Sequence, residues 1–341
     1  MTRGDDDAGW LRAALTLAGR TRGRTAPNPN VGCVIVRDGR VVGHGWTQPG
    51  GRPHAEAMAL AQAGAAARGA TCHVTLEPCA HVSARGPACS DLLVTAGVAH
   101  VVAALEDPDP RTAGAGFARL RAAGIAVTIA PPTGPVAAAA RASMAGFLTR
   151  RAAGRPHVTL KLATSLDGAI ALASGESRWI TGAAARAHVH LERSRHEAIL
   201  VGRGTLDTDA PRLDVRLPGL VTRSPRRIVL TSAAPPAGWT AIATPAAIAG
   251  LEDVDHLFVE GGARTAAAFL AADLVDRLLL YRAPILIGGG VRALGDIGLD
   301  ALAAAHGRWR AVDARMLGSD RVEVYERERV ASAAAITGAT R

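Results

Sequence analysis

The stretch His54-Ala55-Glu56, followed by Pro78-Cys79 and then by Cys89, decides how the first part of this chain is interpreted. One histidine and two cysteine thiolates can fill three corners of a zinc tetrahedron and leave the fourth for water. Zinc lowers the pKa of a bound water, and the neighbouring carboxylate can take the proton of that water and pass it to a departing amine. The pattern therefore predicts zinc-dependent deamination of a nucleobase-like ring.

The predicted secondary structure around these residues favours a metal site over a chance cluster. His54 begins a predicted helix, Cys79 follows a predicted strand, and Cys89 begins the next helix. Free N–H groups at the start of a helix favour a nearby negative charge, and hence a thiolate. Cys33 and Cys72 lie within apolar strand runs instead, so we expect them in the core.

Length and composition predict a two-domain α/β protein. The chain has 341 residues, of which 48% are hydrophobic and only 3% aromatic, so its cores are expected to be aliphatic. No run of 18 apolar residues occurs, which predicts no membrane span. The N-terminal segment lacks the order of a secretory signal, and two of the four cysteines belong to the metal motif. We therefore expect a cytoplasmic protein without disulfides.

The formal net charge of +9 does not predict nucleic-acid binding. Its basic residues are arginines spread along the whole chain, and few aromatic side chains are available to stack on bases. We expect a general preference for anionic small molecules, and no nucleic-acid or membrane partner. Lys161 is the single lysine among 39 lysine and arginine residues. Chance would explain its survival, but so would a site that needs a compact ammonium with a movable pKa.

The alternation of predicted strands and helices occurs twice. Strands Val31 to Arg37 and Arg40 to His44 flank a turn, and helices then alternate with strands as far as a long alanine-rich helix ending near Arg150. The alternation restarts with the strand Val158 to Thr164. We place the domains at residues 1–150 and 151–341, each with helices covering a sheet. The tail after Glu326 is expected to be partly disordered.

Several motifs together resemble the bifunctional deaminase–reductase family of riboflavin biosynthesis. In the first half they are Ala26-Pro27-Asn28-Pro29-Asn30-Val31-Gly32, the His54 motif and Thr75-Leu76-Glu77-Pro78-Cys79-Ala80-His81. The second half continues with Leu160 to Gly168, Gly175 to Thr181, Val201 to Thr205 and Val259 to Gly262. The resemblance spans roughly residues 8 to 326, in the order of the family.

This resemblance implies a cytidine-deaminase-like three-layer domain followed by a dihydrofolate-reductase-like domain. The first would use Zn²⁺ to deaminate a diaminopyrimidinone ribosyl phosphate by hydrolysis. The second would use NADPH to reduce the ribosyl chain to a ribityl chain. The partner is thus a small pyrimidine ribosyl phosphate, and a homo-oligomer is expected.

The resemblance also implies roles for individual residues. His54, Cys79 and Cys89 would bind zinc, and Glu56 and Lys161 would be catalytic. The predicted deaminase substrate contacts are Asn28, His81, Asp107 and Asp109. The predicted NADPH contacts are Ala163, Trp179, Thr205, Asp209, Ser232, Gly262, Ala263, Arg264, Thr265, Ala266, Ala267 and Ala268. The predicted contacts with the sugar phosphate are Ser177, Arg193, Leu213, Arg216 and Glu260.

Two departures from the family pattern keep alternatives open. Nine residues, 80–88, separate the two cysteines, one more than in the family, and Thr47 stands where many members have histidine. A reductase-only protein with an impaired deaminase is one alternative. A nucleoside or RNA-base deaminase with an accessory domain is another, although that class has Cys-x-x-Cys spacing. The third is a binding protein with a structural zinc.

Overall fold

The computed structural model describes residues 3–81 and 85–329, and its helices and strands form two compact α/β units. The first unit consists of the described residues up to Pro156, together with Arg195–Glu197 and Leu251–His256. The remaining described residues form the second unit. Residues beyond 329, which hold most of the tail predicted to be disordered, lie outside the described part of the chain.

The first unit is a sheet between helices. Its strands are β1 (Gly32–Arg37), β2 (Arg40–Trp46), β3 (Thr71–Val74), β4 (His100–Ala103) and β5 (Ala126–Ile129). Its helices are α1 (Arg3–Ala18), α2 (Ala55–Ala63), α3 (Cys89–Ala96), α4 (Ala115–Ala122), α5 (Pro135–Ser143) and α6 (Ala145–Ala153). The strand order is β2-β1-β3-β4-β5. The single helix predicted to end near Arg150 is therefore two helices, α5 and α6.

The strand directions follow from the connections between the strands. Asp38 and Gly39 adopt positive φ angles of 51° and 73°, and this tight turn makes β1 and β2 antiparallel. Strands β3, β4 and β5 are parallel because α3 and α4 carry the chain back between them. Cys33 and Cys72 are fully buried in the core of this sheet, as predicted. The loops that leave the carboxyl ends of β3 and β4 contain Cys79 and Asp107, respectively.

The second unit contains an eight-stranded sheet in the order β10-β9-β8-β11-β6-β12-β15-β14. These strands are β6 (His157–Thr164), β8 (Ala198–Gly202), β9 (Arg226–Leu230), β10 (Thr240–Ile242), β11 (His256–Val259), β12 (Arg277–Arg282), β14 (Trp309–Leu317) and β15 (Asp320–Arg327). A separate pair is formed by β7 (Ala169–Ala171) and β13 (Val291–Arg292). The helices are α7 (Ala183–Arg193), α8 (Arg203–Asp209) and α9 (Ala263–Ala271).

The middle of this sheet is buried and positions the second candidate site. All five residues of β8 and all four of β11 are buried, as expected for central parallel strands. Lys161 lies on β6, which pairs with β12 in parallel register. Within the described ranges, none of the helices combines the length and apolar character needed to cross a bilayer.

Candidate active sites

The three predicted metal ligands come together in the first unit. The ligand atoms of His54, Cys79 and Cys89 all lie within 4.8 Å of one another. His54 Nδ1 is 3.3 Å from Cys89 Sγ and 3.6 Å from Cys79 Sγ. Zinc bonds of about 2.3 Å to sulfur and about 2.0 Å to nitrogen place tetrahedral ligand atoms roughly 3.5 Å apart. The spacing of this donor set therefore fits zinc.

The electrostatics of the two cysteines also fit a cation. The hydrogen bond from the Cys89 thiol lowers the pKa of Cys79 to about 4. The same contact, together with burial, raises the pKa of Cys89 well above its ordinary value. Without a positive charge between them, the two sulfurs thus favour a single thiolate. A divalent cation at this position would favour both thiolates, as metal ligation requires.

Local structure holds the ligands in place. His54 is the extended residue that precedes α2, and Cys89 is the first residue of α3. The backbone N–H and the hydroxyl of Ser90 both donate to the Cys79 carbonyl, at 3.2 and 3.0 Å. The loop after β3 is thereby tied to the start of α3, although the two cysteines are ten residues apart.

Glu56 lies in the first turn of α2 and is 3% exposed. Burial is the largest effect on its carboxyl and raises its pKa. It lies close enough to interact electrostatically with His54 and Cys79 and to hydrogen-bond with Cys89. A carboxyl with a raised pKa binds a proton more readily than a solvated one, and beside a metal-ligand cluster it is suited to accepting and returning a proton.

Asn28 contacts the side of His54 that faces away from the cysteines. Its Nδ2 lies 3.2 Å from His54 Nε2 and donates to the Gly51 carbonyl at 2.7 Å. A Cβ at Gly51 would lie within 2.9 Å of the Asn28 side chain, so glycine is required there. Asn28 therefore lies directly beside the metal-ligand cluster, at the wall of the site.

A cavity of about 310 Å³ opens beside this cluster. The predicted substrate contacts Asn28, His81, Asp107 and Asp109 all line it, as do Glu56 and Thr47. Burial raises the pKa of Asp107 to about 6. Hydrogen bonds from Arg111 outweigh burial at Asp109 and lower its pKa to about 2.

Sequence reasoning missed other residues that line this cavity: Arg52, Glu77, Arg111, Phe147 and Arg151. Arg52 is two residues from His54, and that proximity was an available signal. Arg151 comes from α6 and forms an ion pair with Asp109 at 3.2 Å. No local pattern in the sequence joins residues so far apart.

The second unit contains a cavity of about 290 Å³. Eleven of the residues predicted for this half line it: Lys161, Ala163, Ser177, Trp179, Arg193, Thr205, Asp209, Leu213, Arg216, Glu260 and Gly262. Ser232 and residues 263–268 are not among its lining residues, and Ala266 is fully buried within α9. Their predicted contacts with NADPH remain predictions. His190 and Arg186, which were not predicted, also line the cavity.

A buried ion pair organises the inner end of this cavity. Arg193 donates to both carboxylate oxygens of Glu260, at 2.7 and 2.9 Å, and to the Asp214 carbonyl at 3.0 Å. Burial is the largest effect and opposes ionisation of Glu260, but Arg193, Lys161 and His190 together outweigh it and lower the pKa of the carboxyl. Three of the five guanidinium N–H groups of Arg193 are thus used within the protein.

Lys161 shares this environment. Burial lowers the pKa of its ammonium, Glu260 opposes that change and Arg193 reinforces it. An ammonium with a lowered pKa releases its proton more readily than a solvated lysine does. The single lysine of the chain therefore lies where a proton donor could act.

The rim of the cavity also fits a dinucleotide. Gly262 precedes α9, so the free N–H groups at the start of that helix adjoin the cavity. A Cβ at Gly261 would lie 2.4 Å from the Thr265 side chain, and one at Gly202 would lie 2.2 Å from its hydroxyl. These glycines let β8, β11 and α9 approach closely enough for backbone groups to face a phosphate.

Comparisons with known proteins match each half of the chain to a known family. Residues 5–105 match the family described as the cytidine and deoxycytidylate deaminase zinc-binding region, and residues 156–322 match the RibD C-terminal domain. The riboflavin biosynthesis protein RibD of Escherichia coli is 40% identical over 92% of this chain and 97% of its own length. RibD of Mycobacterium tuberculosis is 39% identical over 90% of this chain and 93% of its own length.

Solved structures give the same result over the whole chain. Acinetobacter baumannii RibD is 36% identical, with a TM-score of 0.83 over 95% of this chain and 99% of its own. The Thermotoga maritima diaminohydroxyphosphoribosylaminopyrimidine deaminase/5-amino-6-(5-phosphoribosylamino)uracil reductase is 30% identical, with a TM-score of 0.86 over 96% and 100% of the two chains. These matches bear out the predicted fold class and the resemblance. The chain belongs to the RibD family of riboflavin biosynthesis, with a deaminase domain of the zinc-binding class and a reductase domain of the RibD type, which uses NADPH.

Proposed function

We propose that this chain catalyses two successive reactions on one pyrimidine ribosyl phosphate. The first is hydrolytic deamination of 2,5-diamino-6-ribosylamino-4(3H)-pyrimidinone 5′-phosphate, assigned to residues 1–150. The second is NADPH-dependent reduction of the ribosyl chain to ribityl, assigned to residues 151–341. The observation that carries the proposal is the cluster of His54, Cys79 and Cys89 with the buried Glu56 beside it.

In the first reaction, His54, Cys79 and Cys89 would hold zinc, which would supply Lewis-acid activation of water when bound. The Glu56 carboxylate takes a proton from the attacking water and delivers it to the leaving amine. Attack of water on the ring carbon that carries the amino group thus leaves a carbonyl at that carbon and releases ammonia. Asn28, His81, Asp107 and Asp109 orient the substrate; Asn28 and the two aspartates offer hydrogen-bonding groups on the cavity wall.

In the second reaction, NADPH supplies the hydride. The Lys161 ammonium donates a proton to the sugar heteroatom, and the lowered pKa of that ammonium supports this role. The proposed contacts with the sugar phosphate are Ser177, Arg193, Leu213, Arg216 and Glu260. Arg193 also holds the Glu260 carboxylate. The NADPH contacts are those predicted at residues 163, 179, 205, 209, 232 and 262–268.

Cellular location and oligomeric state complete the proposal. We assign it to the cytoplasm, which is supported by the free thiols of all four cysteines. We also propose a homo-oligomer, which size-exclusion chromatography with light scattering tests directly. A monomer at working concentrations would contradict that part alone.

The test of the function measures both products in one sample. Zinc-loaded protein is incubated with the diaminopyrimidinone ribosyl phosphate and NADPH, and ammonia and NADPH oxidation are followed separately. We expect equimolar ammonia and oxidised NADPH, with ammonia release persisting when NADPH is omitted. Absence of ammonia would refute the deaminase. Unchanged NADPH, even with 5-amino-6-(5-phosphoribosylamino)uracil supplied, would refute the reductase.

The same assay separates the alternatives. A reductase-only chain would oxidise NADPH with the supplied uracil derivative and release no ammonia from the diamino compound. A protein with a structural zinc would do neither. A nucleoside or RNA-base deaminase would release ammonia from cytidine or RNA and not from the ribosyl phosphate.

A further inference from the structure

Glu77, which precedes Pro78-Cys79, is buried without serving as a metal ligand. Its side chain is 3% exposed and receives three backbone hydrogen bonds. Asp107 N–H and Gly114 N–H donate to Oε2 at 3.2 and 2.9 Å, and Phe117 N–H donates to Oε1 at 3.0 Å. Burying an unsolvated carboxylate is costly, so such a set of donors indicates a built anchor.

Two of those donors belong to the start of helix α4. Gly114 precedes the helix and has no side chain to cap it, whereas Phe117 is the third helical residue. Glu77 therefore provides, from another segment, the acceptor that an N-cap side chain usually provides. Its negative charge also lies at the positive end of the helix dipole. Gly116 permits this approach, because a Cβ there would lie 2.0 Å from the Pro78 carbonyl.

The third donor, Asp107 N–H, lies at the other end of the loop that leads to α4. The loop from Asp107 to Gly114 is thus held at both ends by one carboxylate group. Within it, Asp109 N–H donates to the Asp107 side chain at 2.9 Å. Asp109 in turn accepts from Arg111, so the groups that face the cavity are connected in series to Glu77.

We propose that Glu77 is a positioning residue of the deaminase that sets the substrate-facing loop Asp107–Gly114 against the metal-ligand segment. This inference rests on the deaminase function proposed above. Since residue 77 is joined covalently to Pro78-Cys79, a single side chain fixes the distance from the loop to the zinc ligands. Although the Glu77 side chain also borders the cavity, both of its carboxylate oxygens accept from backbone N–H groups, so it acts through the loop.

The anchor needs a carboxylate. Oε2 accepts from Asp107 N–H and Gly114 N–H, and Oε1 accepts from Phe117 N–H. In Glu77→Gln the amide NH₂ would replace one of these two oxygens. It would then face either the first two donors or Phe117 N–H. In each case at least one buried N–H group loses its acceptor, which weakens the anchor. Glu106→Gln is a matched control, because Glu106 is exposed on the same segment and the substitution removes the same charge.

The kinetic experiment compares the two variants with the wild type. For Glu77→Gln we expect KM for the diaminopyrimidinone ribosyl phosphate to rise about tenfold, with kcat, zinc content and NADPH-dependent reduction retained. For Glu106→Gln we expect wild-type values. An unchanged KM in Glu77→Gln would overturn the proposal, and so would a loss of zinc, because Glu77 would then act on the metal segment.

Hydrogen exchange in the wild-type protein tests the anchor without a variant or a substrate. The amides of Asp107, Gly114 and Phe117 are expected to be strongly protected, although two of them lie outside any helix or strand. Rapid exchange at Asp107 and Gly114 would contradict the anchor even if Glu77→Gln fails to fold. Because this measurement needs no turnover, failure of the anchor and failure of the proposed deamination can be distinguished.

Discussion

The two candidate sites differ in how they balance buried charge. The deaminase site brings together two cysteines and the Glu56 carboxyl, with His54 as the nearest basic group, and its sulfurs favour a single thiolate. The reductase site contains its own cations, because Glu260 is paired with Arg193 and lies near Lys161. The first site therefore depends on a bound metal ion, whereas the second is balanced by the chain itself.

The largest expected effect separates the two chemistries. Glu56→Gln should lower the rate of ammonia release by about 10³-fold, since general acid–base catalysis contributes about 10²–10⁴-fold. NADPH oxidation with the deaminated substrate should stay at the wild-type rate. Zinc analysis is the control, because the variant must retain its metal. Retained ammonia release would show that Glu56 does not transfer the proton.

Removing Arg193 tests the charge balance of the second site. Arg193→Met removes the hydrogen-bonded partner of the buried Glu260, and removing one partner of a buried pair costs about 3 kcal/mol or more. The side chains are only 12% and 9% exposed, so solvent compensates little. Denaturant unfolding should show the loss, and Arg193→Met/Glu260→Gln should recover part of it. Equal stability of wild type and Arg193→Met would contradict the role of the pair.

The single lysine gives the next effect. Lys161→Arg keeps a positive charge but loses the compact ammonium and its lowered pKa, so NADPH oxidation should fall by about 100-fold. Ammonia release serves as the internal control and should be unaffected. Full reductase activity in this variant would mean that chance retention explains the lysine.

The sequence predicted the deaminase site better than the reductase site, for a physical reason. His54, Cys79 and Cys89 have ligand chemistry that is specific in itself, and short local segments bring them together. Arg193 and Glu260 are 67 residues apart, and either alone is an ordinary charged residue. Their pairing is visible only after the sheet has formed.

Some elements of the fold have only weak signals in the sequence. Helix α8 is short and contains glycine and threonine, and β14 is an edge strand with mostly exposed side chains, so neither shows a clear hydrophobic period. The packing of Arg195–Glu197 and Leu251–His256 within the first unit has no signature in local sequence. The capping of α4 by Glu77 could not be predicted for the same reason.

The smallest expected effect concerns pH. Burial raises the pKa of Glu197, in the first unit, to about 7 from an ordinary 4.5. The folded state therefore holds this proton more tightly than the unfolded chain, and raising the pH from about 4.5 to about 7 lowers stability. Glu197→Gln cannot ionise, so its unfolding free energy relative to wild type should rise between pH 5 and pH 8.

Unfolding of both proteins at pH 5 and pH 8 measures this effect. The advantage of the variant should be smaller at pH 5 than at pH 8, because folded Glu197 is mostly protonated at pH 5 and mostly ionised at pH 8. In the second unit, by contrast, the buried Glu260 has a lowered pKa, so the corresponding Glu260→Gln change should destabilise at pH 8. A stabilising effect of Glu260→Gln would remove the contrast between the units.

The most direct test of the difference between the sites is metal content and both activities in Cys89→Ser. We predict that this variant loses bound zinc and ammonia release together, while oxidation of NADPH with the supplied uracil derivative continues at the wild-type rate. Retention of zinc with full ammonia release would contradict the metal site. A parallel fall in NADPH oxidation would contradict the claim that the second site is balanced by its own residues.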